Sequence, residues 1–311
     1  MTKEKLWSLT KLLLKLAFTG ISLYLVFSKV SIKDLKEVFV LSNPLFFFIA
    51  CCTFTLSQLL TSSRLNTFFK GIGLYLTERY NFKLFLLGMF YNLFLPGGIG
   101  GDGYKIFFLR RKFGIKGRRI LTAIFFDRLS GLWALCLIIA VLITFIPQLE
   151  VPNRLPIAVV ALGSILYFIL VKRFFKDYSR SFFLTHLKAF GVQSLQIITV
   201  IFLLYALQFN GKFSPYLLMF LASSLVAIFP FTVGGLGARE VVFLYGADYF
   251  HLDPHLAVLI SLLFYCISAL LSLSGSYFIF HPQALGERKL PDEHEDDIQE
   301  VGDLLNEKDE K

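Results

Sequence analysis

Residues 84–102 read LFLLGMFYNLFLPGGIGGD, an uncharged apolar run that closes on Pro96 and four glycines before meeting Asp102. By length alone the run would cross a bilayer, since about 20 residues rising 1.5 Å each span the hydrocarbon core. Its end contradicts a plain span. Pro and Gly at that density break a helix, and broken backbone at membrane depth is tolerated only where protein or a cavity covers it. Residues 213–240, FSPYLLMFLASSLVAIFPFTVGGLGARE, repeat the arrangement. GGIGGD at 97–102 and GGLGAR at 234–239 share the pattern Gly-Gly-aliphatic-Gly-small-charged, 137 residues apart. Both runs read as re-entrant or interrupted helices.

The surrounding chain is apolar throughout. Hydrophobic residues make up 56 % of the 311, charged residues 17 %, and mean hydropathy is +0.66, whereas an average soluble chain is about 25 % charged. Soluble enzyme folds are excluded. Aromatic residues at 16 % suit lipid-facing surface and interfacial belts. Apolar length predicts full spans over 12–30, 40–63, 121–147, 155–171, 189–210 and 256–280. The expected fold class is an all-α polytopic membrane protein of about six full transmembrane helices plus the two Gly-rich elements, eight membrane segments in all. Two additional short spans, giving eight helices, are the alternative.

Charge sets the orientation. With the N-terminus inside and each Gly-rich element returning to its own side, segments 1–11, 64–83, 102–119 and 172–188 hold 19 Lys and Arg, and the opposite loops hold 5. That asymmetry places the basic segments in the cytoplasm. The two Gly-rich elements then enter from opposite faces, the sign of an inverted repeat. Lys3, Lys5 and Lys11 precede the first apolar run as in a signal peptide, but no small-x-small cleavage site follows, so the run reads as an uncleaved span. Ser31 to Phe39 carries a capping pattern and an apolar face, the mark of a short in-plane helix. Residues 285–311 hold four Lys/Arg and eleven Asp/Glu and read as a disordered acidic tail, a possible docking segment for a protein partner, behind a transmembrane domain of residues 1–284. Both termini are expected in the cytoplasm and the protein in the cell membrane. The basic residues lie between apolar runs, where they set topology and meet anionic headgroups, so nucleic acid is not an expected partner.

Charged residues at membrane depth cost about 2.5–3.5 kcal/mol each on insertion scales and default to a functional reading. Asp102 follows the first Gly-rich copy, Asp127-Arg128 lies inside the third full span, and Arg239-Glu240 follows the second copy. Arg128 and Arg239 are suited to forked contact with a phosphate, and Asp102, Asp127 and Glu240 can orient them in its absence. The rival reading makes Asp127 with Arg128, and Arg239 with Glu240, neutralising structural pairs. The bland reading of the glycines is close helix packing. Arg110-Arg111-Lys112 with Lys116, Arg118 and Arg119 is the densest basic cluster; it fixes orientation or recruits anionic headgroups. His251 and His255 are interrupted by Pro254, and Cys51, Cys52, Cys136 and Cys266 show no C-x-x-C spacing, so no metal site, disulfide framework or cofactor is expected. Nucleotide-binding and hydrolase motifs are absent from the sequence.

The stretch N-x-x-x-P-G-G-x-G-G-D from Asn92 to Asp102, the basic Lys105, DRLSG from Asp127 to Gly131, and FPFTVGGLGARE from Phe229 to Glu240 resemble the transmembrane domain of lysylphosphatidylglycerol synthase/flippase proteins. The resemblance covers roughly residues 10–280. Lys105 stands where that family usually has Arg, and Asp127 where Glu is usual; both keep charge. The aminoacyltransferase domain of the two-domain members has no counterpart, so synthase activity is not carried over. The resemblance implies a lipid-translocating module whose substrate-binding set is Asn92, Gly97, Gly98, Gly100, Gly101, Asp102, Lys105, Asp127, Arg128, Gly234, Gly235, Gly237, Arg239 and Glu240. Its expected substrate is a membrane phospholipid or lipid-linked intermediate. An integral membrane transferase acting on a lipid or lipid-linked sugar is the alternative.

Overall fold

Asn43-Pro44 and Asp253-Pro254 open two helices in the same way. Each acceptor side chain takes an N–H of the first turn, Asn43 Oδ1 from Leu45 N at 3.0 Å and Asp253 Oδ1 from His255 N at 2.8 Å. Pro then supplies a preset φ at a position whose N–H has no helical partner. The computed structural model describes residues 43–94, 100–152, 154–228 and 237–281, with Tyr24 and Leu285. The expected span 12–30, the in-plane helix after Ser31 and the acidic tail beyond Leu285 lie outside the described residues, as do Gly97, Gly98, Gly234 and Gly235.

Among the described residues the chain is helical, without strands. The helices are α1 Pro44–Gly71, α2 Glu78–Phe94, α3 Gly100–Phe113, α4 Gly117–Ile143, α5 Arg154–Phe174, α6 Lys176–Ser179, α7 Phe182–Ala206, α8 Ser214–Ile228, α9 Ala238–Tyr249, α10 Pro254–Leu273 and α11 Tyr277–Phe280. Five are long and apolar enough to cross a bilayer: α1, α4, α5, α7 and the continuous Pro254–Phe280 stretch. Each matches a span expected from apolar length. The boundaries differ from the expected ones at two charged residues. α1 continues past Ser63 to Gly71, enclosing Arg64, and α7 begins at Phe182, enclosing Lys188. Residues 102–113, expected as part of a cytoplasmic segment, belong to α3, whose Asp102 and Lys105 are buried.

α1 and α7 lie antiparallel along their whole length. Asn43 N donates to Ala206 O, the Thr53 and Thr199 hydroxyls bond at 3.0 Å, and Lys188 Nζ donates to Ser63 Oγ and Thr67 Oγ1 at 2.9 Å each. The lysine therefore enters the helix with its charge solvated by three oxygens, counting the Ser63 carbonyl. Two apolar cores form around this pair. One gathers Phe54, Leu135, Val200, Phe220, Phe243 and Leu263; the other gathers Leu65, Phe68, Leu84, Phe108, Phe126 and Phe182. α1, α4 and α7 each pass from one core to the other, and the residues at the crossing are polar.

Two close backbone approaches tie the short helices in. A Cβ on Gly101 would lie 1.9 Å from the Gly88 carbonyl oxygen, and one on Gly275 would lie 2.1 Å from that of Leu86. At both places only glycine lets the backbones meet.

Candidate functional site

Between the two cores α1 buries Ser57, Gln58, Ser62 and Arg64 and α4 buries Asp127 and Ser130, while α7 buries Thr185 and His186 beside the second core and Thr199 beside the first. Arg64 of α1 and Asp127 of α4 meet across this polar stretch. Asp127 and Arg128 stand about 15 Å along α4 from its first residue, Gly117, at 1.5 Å per residue, so their charges must be met by protein.

Asp127 is met from α1. Arg64 Nε donates to its Oδ1 at 2.7 Å and Nη2 to its Oδ2 at 3.2 Å, a two-pronged contact in which both side chains are almost wholly covered. Gly131, one turn on, makes the room: a Cβ there would lie 3.2 Å from Arg64 Nη1.

Arg128 points elsewhere, to Asp102 at the start of α3, with Nε donating to Oδ2 at 2.9 Å. Asp102 accepts a second cation, Lys105 Nζ, at 3.3 Å. Its position in the first turn adds the attraction of the helix N-terminus. The turn itself is capped by Asn92, whose Oδ1 accepts from Gly101 N at 2.8 Å. Lys105 reaches the carboxylate by crossing bare backbone, since a Cβ on Gly88 would sit 2.4 Å from Lys105 Cε, and its ammonium lies 5.1 Å from the Phe85 ring centroid. The pair is asymmetric in exposure. Asp102's side chain is 11 % exposed and Arg128's 44 %.

The second Gly-rich copy is built differently. Gly237 has φ +86°, a conformation suited to glycine, and caps α9. Glu240 is fully buried; its Oε2 accepts from Gly237 N at 2.6 Å and its Oε1 from Ser261 Oγ at 2.8 Å. Arg239 lies with Cζ 5.6 Å from the Phe264 ring centroid, and that ring is clamped between Phe54 and Phe220.

These contacts depart from the pairings of sequence neighbours that the rival reading makes. Asp127 pairs with Arg64, not with Arg128, and Glu240 serves backbone and serine rather than Arg239. The reason is helical: consecutive residues project about 100° apart and do not face each other, so neighbours in sequence seek partners on other helices. Of the expected site set, Asn92, Gly100, Gly101, Asp102, Lys105 and Arg128 come together around the start of α3. Asn92 and Gly101 act there as cap and close-approach positions, and Gly237 caps α9. Arg64, Gly88 and Ser261 were missed. Arg64 carried a signal of its own, being the sole charged residue between Glu37 and Lys70.

The family model described as Lysylphosphatidylglycerol synthase TM region matches residues 12–275. Comparison with curated proteins found no match.

Proposed function

The chain belongs to the lysylphosphatidylglycerol synthase TM-region family, and on that premise we propose that this integral membrane protein moves a phosphate-bearing lipid or lipid-linked intermediate between leaflets. The observation that carries the reading is the half-open Arg128 held against the buried Asp102. A guanidinium can present a planar fork to a phosphate. When Arg128 turns toward a headgroup, Asp102 does not become a lone buried anion, because Lys105 remains on its other oxygen. The site can therefore exchange carboxylate for phosphate without the several kcal/mol that an uncompensated buried charge costs. Asp102 lies in the first turn of α3, where the helix N-terminus favours an anion.

In this reading Arg239 and the second Gly-rich copy are the counterpart of this element in the other half of the chain. Helix lengths support it: α1 to α4 run 28, 17, 14 and 27 residues, and α7 to α10 run 25, 15, 12 and 20. Each half is thus long, short, short, long, with a Gly-rich break between the short pair. The antiparallel α1 and α7 lead the two halves, as an inverted repeat requires. The α2–α3 and α8–α9 pairs are then the two interrupted elements. With the expected first span they complete eight membrane segments ahead of the tail from residue 285. The basic ends of α3, α4 and α5 face the cytoplasm of the cell membrane, with both termini.

Reconstitution with a labelled lipid tests the activity. Translocation changes which leaflet holds the label and leaves its mass unaltered; a transferase alters the mass.

A further inference from the structure

Away from the Asp102–Arg128 centre, where α4 starts beside the α5–α6 junction, a cleft of about 410 Å³ opens at the basic end of the molecule. We propose that this cleft binds the phosphate of an anionic phospholipid, held at the membrane surface as a bound component and not as the translocated substrate. Its rim carries Arg118, Arg119, Arg173 and Lys176, against the single carboxylate of Asp177. That carboxylate is engaged by Arg119 at 3.4 Å. A basic pocket between membrane helices at the cytoplasmic level is the arrangement that takes anionic headgroups.

The remaining lining fits the same ligand. The Thr122 hydroxyl donates to the Arg118 carbonyl at 2.8 Å, and burial followed by the neighbouring Asp177 pushes the Tyr178 phenol up to about 12, so it stays protonated and adds no negative charge. α4 begins beside the cleft, and its first turn carries no side-chain cap, so the positive end of the helix adds to the attraction for an anion. A second hollow lined by Ile169, Lys172, Arg173, Phe174 and Lys176 adjoins the first through its shared residues.

Acyl chains distinguish a lipid from a free phosphate, and α5 supplies a track for them. Leu162, Ile165, Leu166 and Ile169 are all more than half exposed. Their spacing of three and four residues draws an apolar stripe along the helix to Ile169, which lines the adjoining hollow. A phosphate in the cleft therefore places its tails on a surface already suited to hydrocarbon.

The test uses the full chain purified in a neutral detergent, with thermal unfolding followed as short-chain phosphatidylglycerol, the matching phosphatidylcholine or inorganic phosphate is added. Phosphatidylglycerol is expected to raise the midpoint, while phosphatidylcholine and inorganic phosphate at equal concentration leave it in place. Arg118→Gln/Arg173→Gln should weaken the apparent affinity about ten-fold or more. Arg118→Lys/Arg173→Lys should retain most of it, showing that the site and not the fold was lost. Arg79→Gln, which removes an exposed arginine outside the cleft, should leave the response intact. An equal response to all three additives overturns the proposal, as does a Gln/Gln affinity within about two-fold of wild type or a response abolished by Arg79→Gln.

Discussion

Arg64 and Asp127 neutralise each other in a band from which both cores exclude water, so each is costly without the other. Arg64→Leu or Asp127→Leu alone leaves a buried charge and is expected to destabilise by about 3–5 kcal/mol, while the double replacement recovers most of the loss. Unfolding midpoints in detergent check this; a double variant no better than the worse single one would argue that the pair is not a unit. Glycines divide by what their new methyl would meet. Gly101→Ala strikes the Gly88 carbonyl, whereas Gly88→Ala strikes the flexible end of Lys105. The first is expected to cost clearly more folded protein on size exclusion, and the second to be tolerated with Lys105 displaced. The sequence makes Asp102, Arg128 and the glycine pattern visible because each breaks an apolar run. It hides the pairing, because partners 26 and 63 residues apart are chosen by helix rotation and packing.

At the level of the helix, length and apolarity were legible and ends were not. The five long spans stand out because an apolar run must be buried or meet lipid. Their ends depart from apolar length at Arg64 and Lys188, because each charge is solvated inside the bundle, by Asp127 or by serine and threonine oxygens. The start of α3 rests on Asn92. Asn92→Ala is expected to cost about 1 kcal/mol, the usual value of a lost N-terminal cap, while Asn92→Asp preserves the acceptor and much of the stability. Hydrogen exchange should show the Gly101 amide losing protection in the alanine variant and retaining it in the aspartate one. Equal loss in both variants would mean that shape rather than hydrogen bonding holds the turn.

At the scale of the molecule, charge divides the two ends. Arg110, Arg111, Lys112, Arg118, Arg119, Lys172 and Arg173 gather where α3 and α5 finish and α4 begins, and the opposite end carries Asp248 and Asp253. With native cysteines replaced, a single cysteine at Lys116 is expected to resist an impermeant reagent in intact cells while one at His251 is labelled; the reverse pattern would invert the orientation. The central claim is that Arg128, held by Asp102 and backed by Lys105, receives a phosphate headgroup. The most direct measurement is leaflet translocation of a labelled phospholipid in reconstituted vesicles, normalised to folded protein, for wild type, Arg128→Lys and Asp102→Leu/Arg128→Leu. The account predicts impaired translocation in Arg128→Lys, which keeps charge but loses the fork, and none in the doubly neutralised variant although it remains folded. Full translocation by Asp102→Leu/Arg128→Leu would contradict the account and leave the pair as a packing device.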